Sequence, residues 1–191
     1  MAFATSEPGV AVKILIAGGF GVGKTTMVGA VSEIPPLRTE ELITEPSSEV
    51  DSLVGVEDKT TTTVALDFGR ITISSGLVLY LFGTPGQHRF WFMWDELARG
   101  ALGAVVLTDT RRLSDSFAAI DFFEERGVPF VVGVNCFDGL QLYNTAEVRT
   151  ALDLTHAVPL LLCDARDRAS AKRLLSSLVR VAMAGATAAA W

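Results

Sequence analysis

Along the chain, continuous apolar runs take turns with stretches whose apolar residues recur at helical spacing. The run over residues 10–17 predicts a first buried strand. Residues 25–32 predict a helix, which Pro35 and Pro36 end because proline lacks the N–H that a helix needs and pushes its predecessor out of the helical region. Residues 37–59 are polar, acidic and weakly patterned, and predict a long loop. Residues 59–73 and 77–82, β-branched and apolar around Ser74-Ser75-Gly76, predict a hairpin. Beyond Gly83 the pattern becomes regular: helix-like over 90–98, 115–126, 146–152 and 169–184, strand-like over 102–109, 129–135 and 158–163. Apolar strands alternating with amphipathic helices imply an α/β fold whose sheet is mostly parallel and covered on both faces. Residues 1–10 read as a loose arm, 11–186 as one domain and 187–191 as a tail.

Composition narrows the setting. A chain of 191 residues suits a single core. No apolar run approaches the ~20 residues a membrane span requires, so direct membrane insertion is not expected. The start carries no basic, secretory-type block and has Ala2 where myristoylation needs glycine, and Ala188-Ala189-Ala190-Trp191 is no prenylation box. With only Cys136 and Cys163, far apart in sequence, a disulfide framework is not expected and a reducing cytoplasm is. The net charge of −6 argues against general nucleic-acid binding, which relies on bases neutralising phosphates. Eight acidic residues lie from Glu33 to Asp58 against the single base Arg38, so this segment alone outweighs the net charge.

The most specific chemistry lies directly after the first strand. Gly18-x-x-x-x-Gly23-Lys24-Thr25 is the phosphate-binding loop spacing. Its glycines let backbone N–H groups turn inward, and the positive end of the following helix adds to the concavity. Gly18, Gly21, Val22, Gly23, Lys24, Thr25 and Thr26 are therefore the candidate phosphate-binding residues, with Lys24 reaching the β- and γ-phosphates and Thr25 offering its hydroxyl to Mg²⁺. Asn135-Cys136-Phe137-Asp138 closes a predicted buried strand. There the Asp138 carboxylate could accept from a guanine's ring N–H and 2-amino group, although Asn-x-x-Asp is also a common turn. Cys163-Asp164-Ala165-Arg166 closes the next strand, where the Ala165 N–H could meet the guanine carbonyl oxygen.

Together these placements resemble the Ras-like small GTPases over about residues 12–182. Gly83-Thr84-Pro85-Gly86-Gln87 is similar to Asp-x-x-Gly-Gln, Asp164-Ala165-Arg166 to Ser-Ala-Lys, and Thr63-Val64-Ala65-Leu66-Asp67-Phe68 to a switch threonine followed by a strand. Within that superfamily the chain looks most like the bacterial conservon GTPases, relatives of the MglA polarity GTPase. The resemblance implies a P-loop NTPase of the Ras-like G-domain type, with an acidic switch loop over 33–59, GTP or GDP as ligand and Mg²⁺ as cofactor. Gln87 would orient the attacking water, Gly86 would line the nucleotide site, and Thr63, with Thr62 close behind, would reach Mg²⁺ and the γ-phosphate. Arg89 is a weaker candidate for charge stabilisation. A roadblock-type regulatory protein and a membrane sensor-kinase-like complex are the implied partners, so any membrane association would come through them.

Three departures modify these expectations. Gly83 stands where the family has an acid on the Mg²⁺ side, which predicts weaker metal binding. Cys136 replaces a lysine whose stem usually covers the base and braces the phosphate loop. Phe20 adds bulk where water or an arginine finger approaches, so slow hydrolysis is expected. In Phe90-Trp91-Phe92-Met93-Trp94, four aromatics in five residues cannot all face inward from one helix, and Phe90, Trp91 and Trp94 are the candidate partner surface. His88 and His156 stand isolated and suggest no zinc site. A switch that hydrolyses GTP slowly leads, with a non-hydrolysing guanine-nucleotide scaffold and an ATP-dependent enzyme as alternatives, since the phosphate loop is blind to the base.

Overall fold

The computed structural model describes residues 9–35, 37–44, 61–86, 92–139 and 141–188, with the backbone alone for 37–44, 61–65, 138 and 186–188. Among these residues seven strands form one sheet: β1 (Val10–Ala17), β2 (Leu37–Thr44), β3 (Thr61–Ser74), β4 (Leu77–Gly83), β5 (Ala101–Thr108), β6 (Phe130–Asn135) and β7 (Leu160–Cys163), in the order β2-β3-β4-β1-β5-β6-β7. From β4 to β7 every pairing is parallel, and β2 and β3 add an antiparallel margin. The hairpin turn falls at Ser75-Gly76, as the polar break between two apolar runs predicts.

Residues along β1 divide by parity. Ile14 and Ile16 enter the core beneath α1 (Lys24–Val31) and α5 (Arg168–Ala188), with Met27, Val28, Leu174 and Leu178. Leu15 and Ala17 enter the opposite core, shared with α2 (Trp94–Ala98), α3 (Phe117–Glu125) and α4 (Thr145–Ala151). This period of two in a strand with no polar face is what a sheet covered on both sides demands. Helix α4 starts on a complete capping box, with Asn144 Oδ1 accepting from the Ala146 and Glu147 backbone N–H groups and Glu147 accepting from that of Asn144.

Two expectations change. The loop foreseen over 37–59 begins later, because Leu37–Thr44 pairs along its length with β3 as an edge strand. Its sequence shows no clean alternation, and ladder hydrogen bonds to one neighbour are enough to hold such a strand. The helix foreseen over 115–126 is preceded by a 3₁₀ stretch, Thr110–Ser116, kinked at Arg112. Among the described residues no helix is long and apolar enough to cross a membrane.

Candidate functional site

Parallel strands deliver their carboxyl ends to one edge of the sheet, and ligands of such sheets bind beyond it where neighbouring connections diverge. Here β1 lies between β4 and β5, and its end runs into Gly18–Thr25. The loop closes on α1 through Gly23, whose φ of +109° and whose closeness to Asn135 Nδ2, 2.8 Å from a built Cβ, both require glycine. Val22 is buried, while Thr25 and Thr26 face solvent from the first turn of the helix.

Lys24 is the electrostatic centre. Its ammonium donates to the Gly18 and Gly19 carbonyl oxygens at 2.9 and 2.6 Å. Burial draws its pKa down from 10.5 to about 8, partly opposed by the carboxylate of Asp67. Gly86 comes close on the other side: a Cβ there would lie 2.7 Å from Lys24 Nζ and 3.0 Å from the Phe20 backbone. Thr25 Oγ1 donates to Asp67 Oδ2 at 2.5 Å.

Asp67 is the residue that motif reading missed. It lies on β3 directly across from Gly83 of β4, and a Cβ on Gly83 would stand 3.2 Å from Asp67 Oδ2. The absent side chain at 83 thus leaves room for a carboxylate from the neighbouring strand, beside the loop threonine. The expectation that this flank lacks protein charge is revised accordingly. The signal was cross-strand register, which no spacing along the chain displays.

On the opposite flank, Asn135 is buried at the end of β6 and bridges two loops. Its Nδ2 donates to the Val22 carbonyl at 2.9 Å, and its Oδ1 accepts from the Ala165 N–H at 3.0 Å. The Ala165 N–H, expected to meet a guanine oxygen, is in this arrangement given to Asn135. Arg166 turns back on its own loop and pairs with Asp164, Nη2 to Oδ2 at 2.9 Å. Asp138 lies in a single 3₁₀ turn, Phe137–Gly139, directly beyond β6. Cys136 donates its backbone N–H to the Cys163 carbonyl, and burial raises both thiol pKa values, that of Cys163 to about 12.

The remaining candidates separate. Thr63 is paired with Leu42 in the β2–β3 ladder, four residues before Asp67 and so roughly 13 Å from it along the strand. The described conformation therefore leaves it in the ladder, away from the Thr25–Asp67 contact. Trp94 is no partner surface: it is 1% exposed, meets Phe122 edge-to-face, stacks against Phe123, and donates Nε1–H to the Pro85 carbonyl at 3.2 Å. A helix of five residues can aim one face at α3, and the residue best able to fill that space is the indole. Among the described residues of this stretch, Phe92 is the exposed aromatic. Gln87, His88, Arg89, Phe90 and Trp91 lie outside the described residues, as do Thr60 and most of the acidic segment.

A strand, a glycine loop with a buried lysine, a helix, and two further loops converging at the same sheet edge define a nucleotide-binding P-loop protein. Residues 16–185 match the family described as conserved hypothetical ATP binding protein, and the chain belongs to that family. A relative, an uncharacterized protein of Methanocaldococcus jannaschii, is 32% identical over 129 residues, 66% of this chain and 71% of the relative. Among solved structures, the cytosolic domain of the T. maritima FeoB iron transporter in a GDP form superposes with a TM-score of 0.64 at 17% identity, over 92% of this chain and 65% of that one. The chain thus spans about two thirds of that domain. The FeoB G-domain from Methanococcus jannaschii gives 0.58 at 13% identity, over 91% of this chain and 98% of that one. At these identities the likeness is one of fold, that of P-loop GTPase G domains.

Proposed function

We propose that the protein is a guanine-nucleotide switch that binds GTP or GDP with Mg²⁺ and hydrolyses GTP slowly. The observation that carries this reading is the Asn135 bridge, which ties Val22 of the phosphate loop to Ala165. It couples the grip on the phosphates to the two strand-end turns where a base would lie, as a fold built to sense a whole nucleotide requires. Asp138, within one of these turns, is the proposed guanine selector.

The donor set fits Mg²⁺. Thr25 and Asp67 bring a hydroxyl and a carboxylate into contact, the hard oxygens this ion prefers, and its remaining positions suit water and phosphate oxygens. When bound, the ion neutralises charge on the β- and γ-phosphates. Lys24 binds the same phosphates by exchanging the Gly18 and Gly19 carbonyls for phosphate oxygens. Gln87 orients the water, Thr63 swings in from its strand to meet the γ-phosphate, and Phe20, 64% exposed at the loop apex, restrains hydrolysis by crowding the approach. Loss of the γ-phosphate would then release residues 37–63 and 83–94, a change read by a roadblock-type partner in a membrane-bound sensor complex.

The family description names ATP, which favours a second reading as an ATP-dependent enzyme. Competition calorimetry of GTP against ATP decides between them. Preference for GTP by ~100-fold or more, abolished in Asp138→Ala, supports the switch, since unpaired polar groups in a base pocket discriminate strongly. Equal affinities, or ATP preference unchanged in that variant, would overturn it.

A further inference from the structure

The phosphate loop presents donors only if its peptide planes face the correct way, and two side chains from outside the loop act on alternate planes. Asn135 Nδ2 holds the Val22 carbonyl at 2.9 Å, and Arg112 Nη2 holds the Phe20 carbonyl at 2.7 Å. In a trans peptide the carbonyl and the following N–H point in opposite directions. Drawing the Phe20 oxygen to Arg112 therefore turns the Gly21 N–H the other way, away from that guanidinium. We infer that Arg112 is a positioning residue for nucleotide binding, a latch that presets the Phe20–Gly21 peptide so that the Gly21 N–H faces the polyphosphate.

The turn that carries Arg112 is built to hold it there. Asp109, 4% exposed at the end of β5, caps the 3₁₀ stretch by accepting from the Arg111 N–H at 2.9 Å, and its carbonyl accepts from the Arg112 N–H at 2.9 Å. The backbone then kinks at Arg112, with φ −144° and ψ 53°, which sends the two arginines apart. Arg111 pairs with Asp109 and stacks 4.1 Å from the Phe137 ring centroid, beside the base-side turn. Arg112 goes to the loop apex, where Asp115 stands 3.8 Å from its guanidinium and Gly21 passes without a side chain. A bare carbonyl at Phe20 is a weak reason for an arginine, whereas a charge-assisted bond that fixes a peptide plane is a sufficient one. The latch also supplies a brace to the loop from a different element than position 136, where Cys136 has no stem to give.

The inference rests on the phosphate-loop reading, and the experiment separates the two. Titration calorimetry of the full chain with GDP and Mg²⁺ compares wild type with Arg112→Ala and Arg112→Met at low and at high NaCl. The latch predicts about a tenfold loss of affinity in both variants, the scale of one lost hydrogen bond to a charged group, undiminished at high salt because it acts through backbone geometry. Arg112→Lys, which keeps a donor, should recover most of it. Unaltered affinity in Arg112→Met, or a loss that disappears at high salt, overturns the latch; the latter would make Arg112 a distant charge only. No GDP binding by wild type would instead overturn the phosphate-loop reading itself. Melting without nucleotide checks folding, and Arg112→Met, which keeps the apolar stem, carries the test should Arg112→Ala melt early.

Discussion

The two flanks of the phosphate loop are held by opposite chemistry. Toward β6 and β7 the grip is neutral and buried: one asparagine amide, both of its ends engaged with backbone, between Val22 and Ala165. Toward β3 and β4 the grip is ionic, with the Lys24 ammonium, the Thr25 hydroxyl and the Asp67 carboxylate side by side. A neutral amide bridge does not respond to protons or salt, so that flank serves as a fixed reference. Charges in contact with a hydroxyl and with loop carbonyls can exchange those partners for phosphate and metal, so in the proposed switch the other flank would register ligand state.

Breaking the fixed flank should have the largest effect. Asn135→Ala strands the Val22 carbonyl and the Ala165 N–H, each costing about 1–3 kcal/mol when buried without a partner. We expect a stability loss of about 2–4 kcal/mol by denaturant unfolding and at least ~100-fold weaker nucleotide binding by calorimetry. A variant that binds normally would show that the bridge is incidental. On the ionic flank, Asp67→Asn keeps an acceptor but removes the charge. Mg²⁺ titration in the presence of GTP should show roughly tenfold weaker apparent metal affinity, with GDP binding in the absence of metal unchanged or improved. An unchanged metal affinity would remove Asp67 from the metal side.

Protons should distinguish the flanks further. Because the folded Lys24 pKa of about 8 lies below its ordinary 10.5, the unfolded chain binds more protons between those values. That group therefore adds to unliganded stability as pH rises from about 8 to 10.5 and subtracts below it. Phosphate binding needs the charged form, so GDP affinity should fall above pH 8 while unliganded stability from this source rises. Parallel movement of both quantities would contradict the assignment. The smallest effect is expected at Trp94→Phe, which keeps most of the packing and loses the bond to Pro85, about 1 kcal/mol in thermal unfolding.

The fold was legible where its elements have long, clean patterns. β1 spans the apolar run with the same limits, and α5 follows a marked amphipathic period. β2 was not legible, since an edge strand bonded to one neighbour needs no alternation. For the site, Gly18, Gly23, Lys24 and Thr25 stand out because their chemistry depends on local spacing. Asp67 does not, since its meaning comes from standing across from Gly83. Arg112 does not either: its target is a backbone carbonyl 92 positions away, and backbone carries no sequence signal. Trp94 misled because an aromatic cluster does not reveal which member a short helix turns inward.

Trp94 has one more consequence, and it is optical. Its indole sits in a closed aromatic nest with its N–H on the carbonyl directly before Gly86, the residue that leaves no room for a side chain beside Lys24 and Phe20. An emitter so placed is shielded from water yet wired to the turn beside the phosphate loop. A displacement of that turn would lengthen the indole bond and shift the Trp94 share of the emission, so the proposed switch would carry its own gauge of nucleotide state without any added dye.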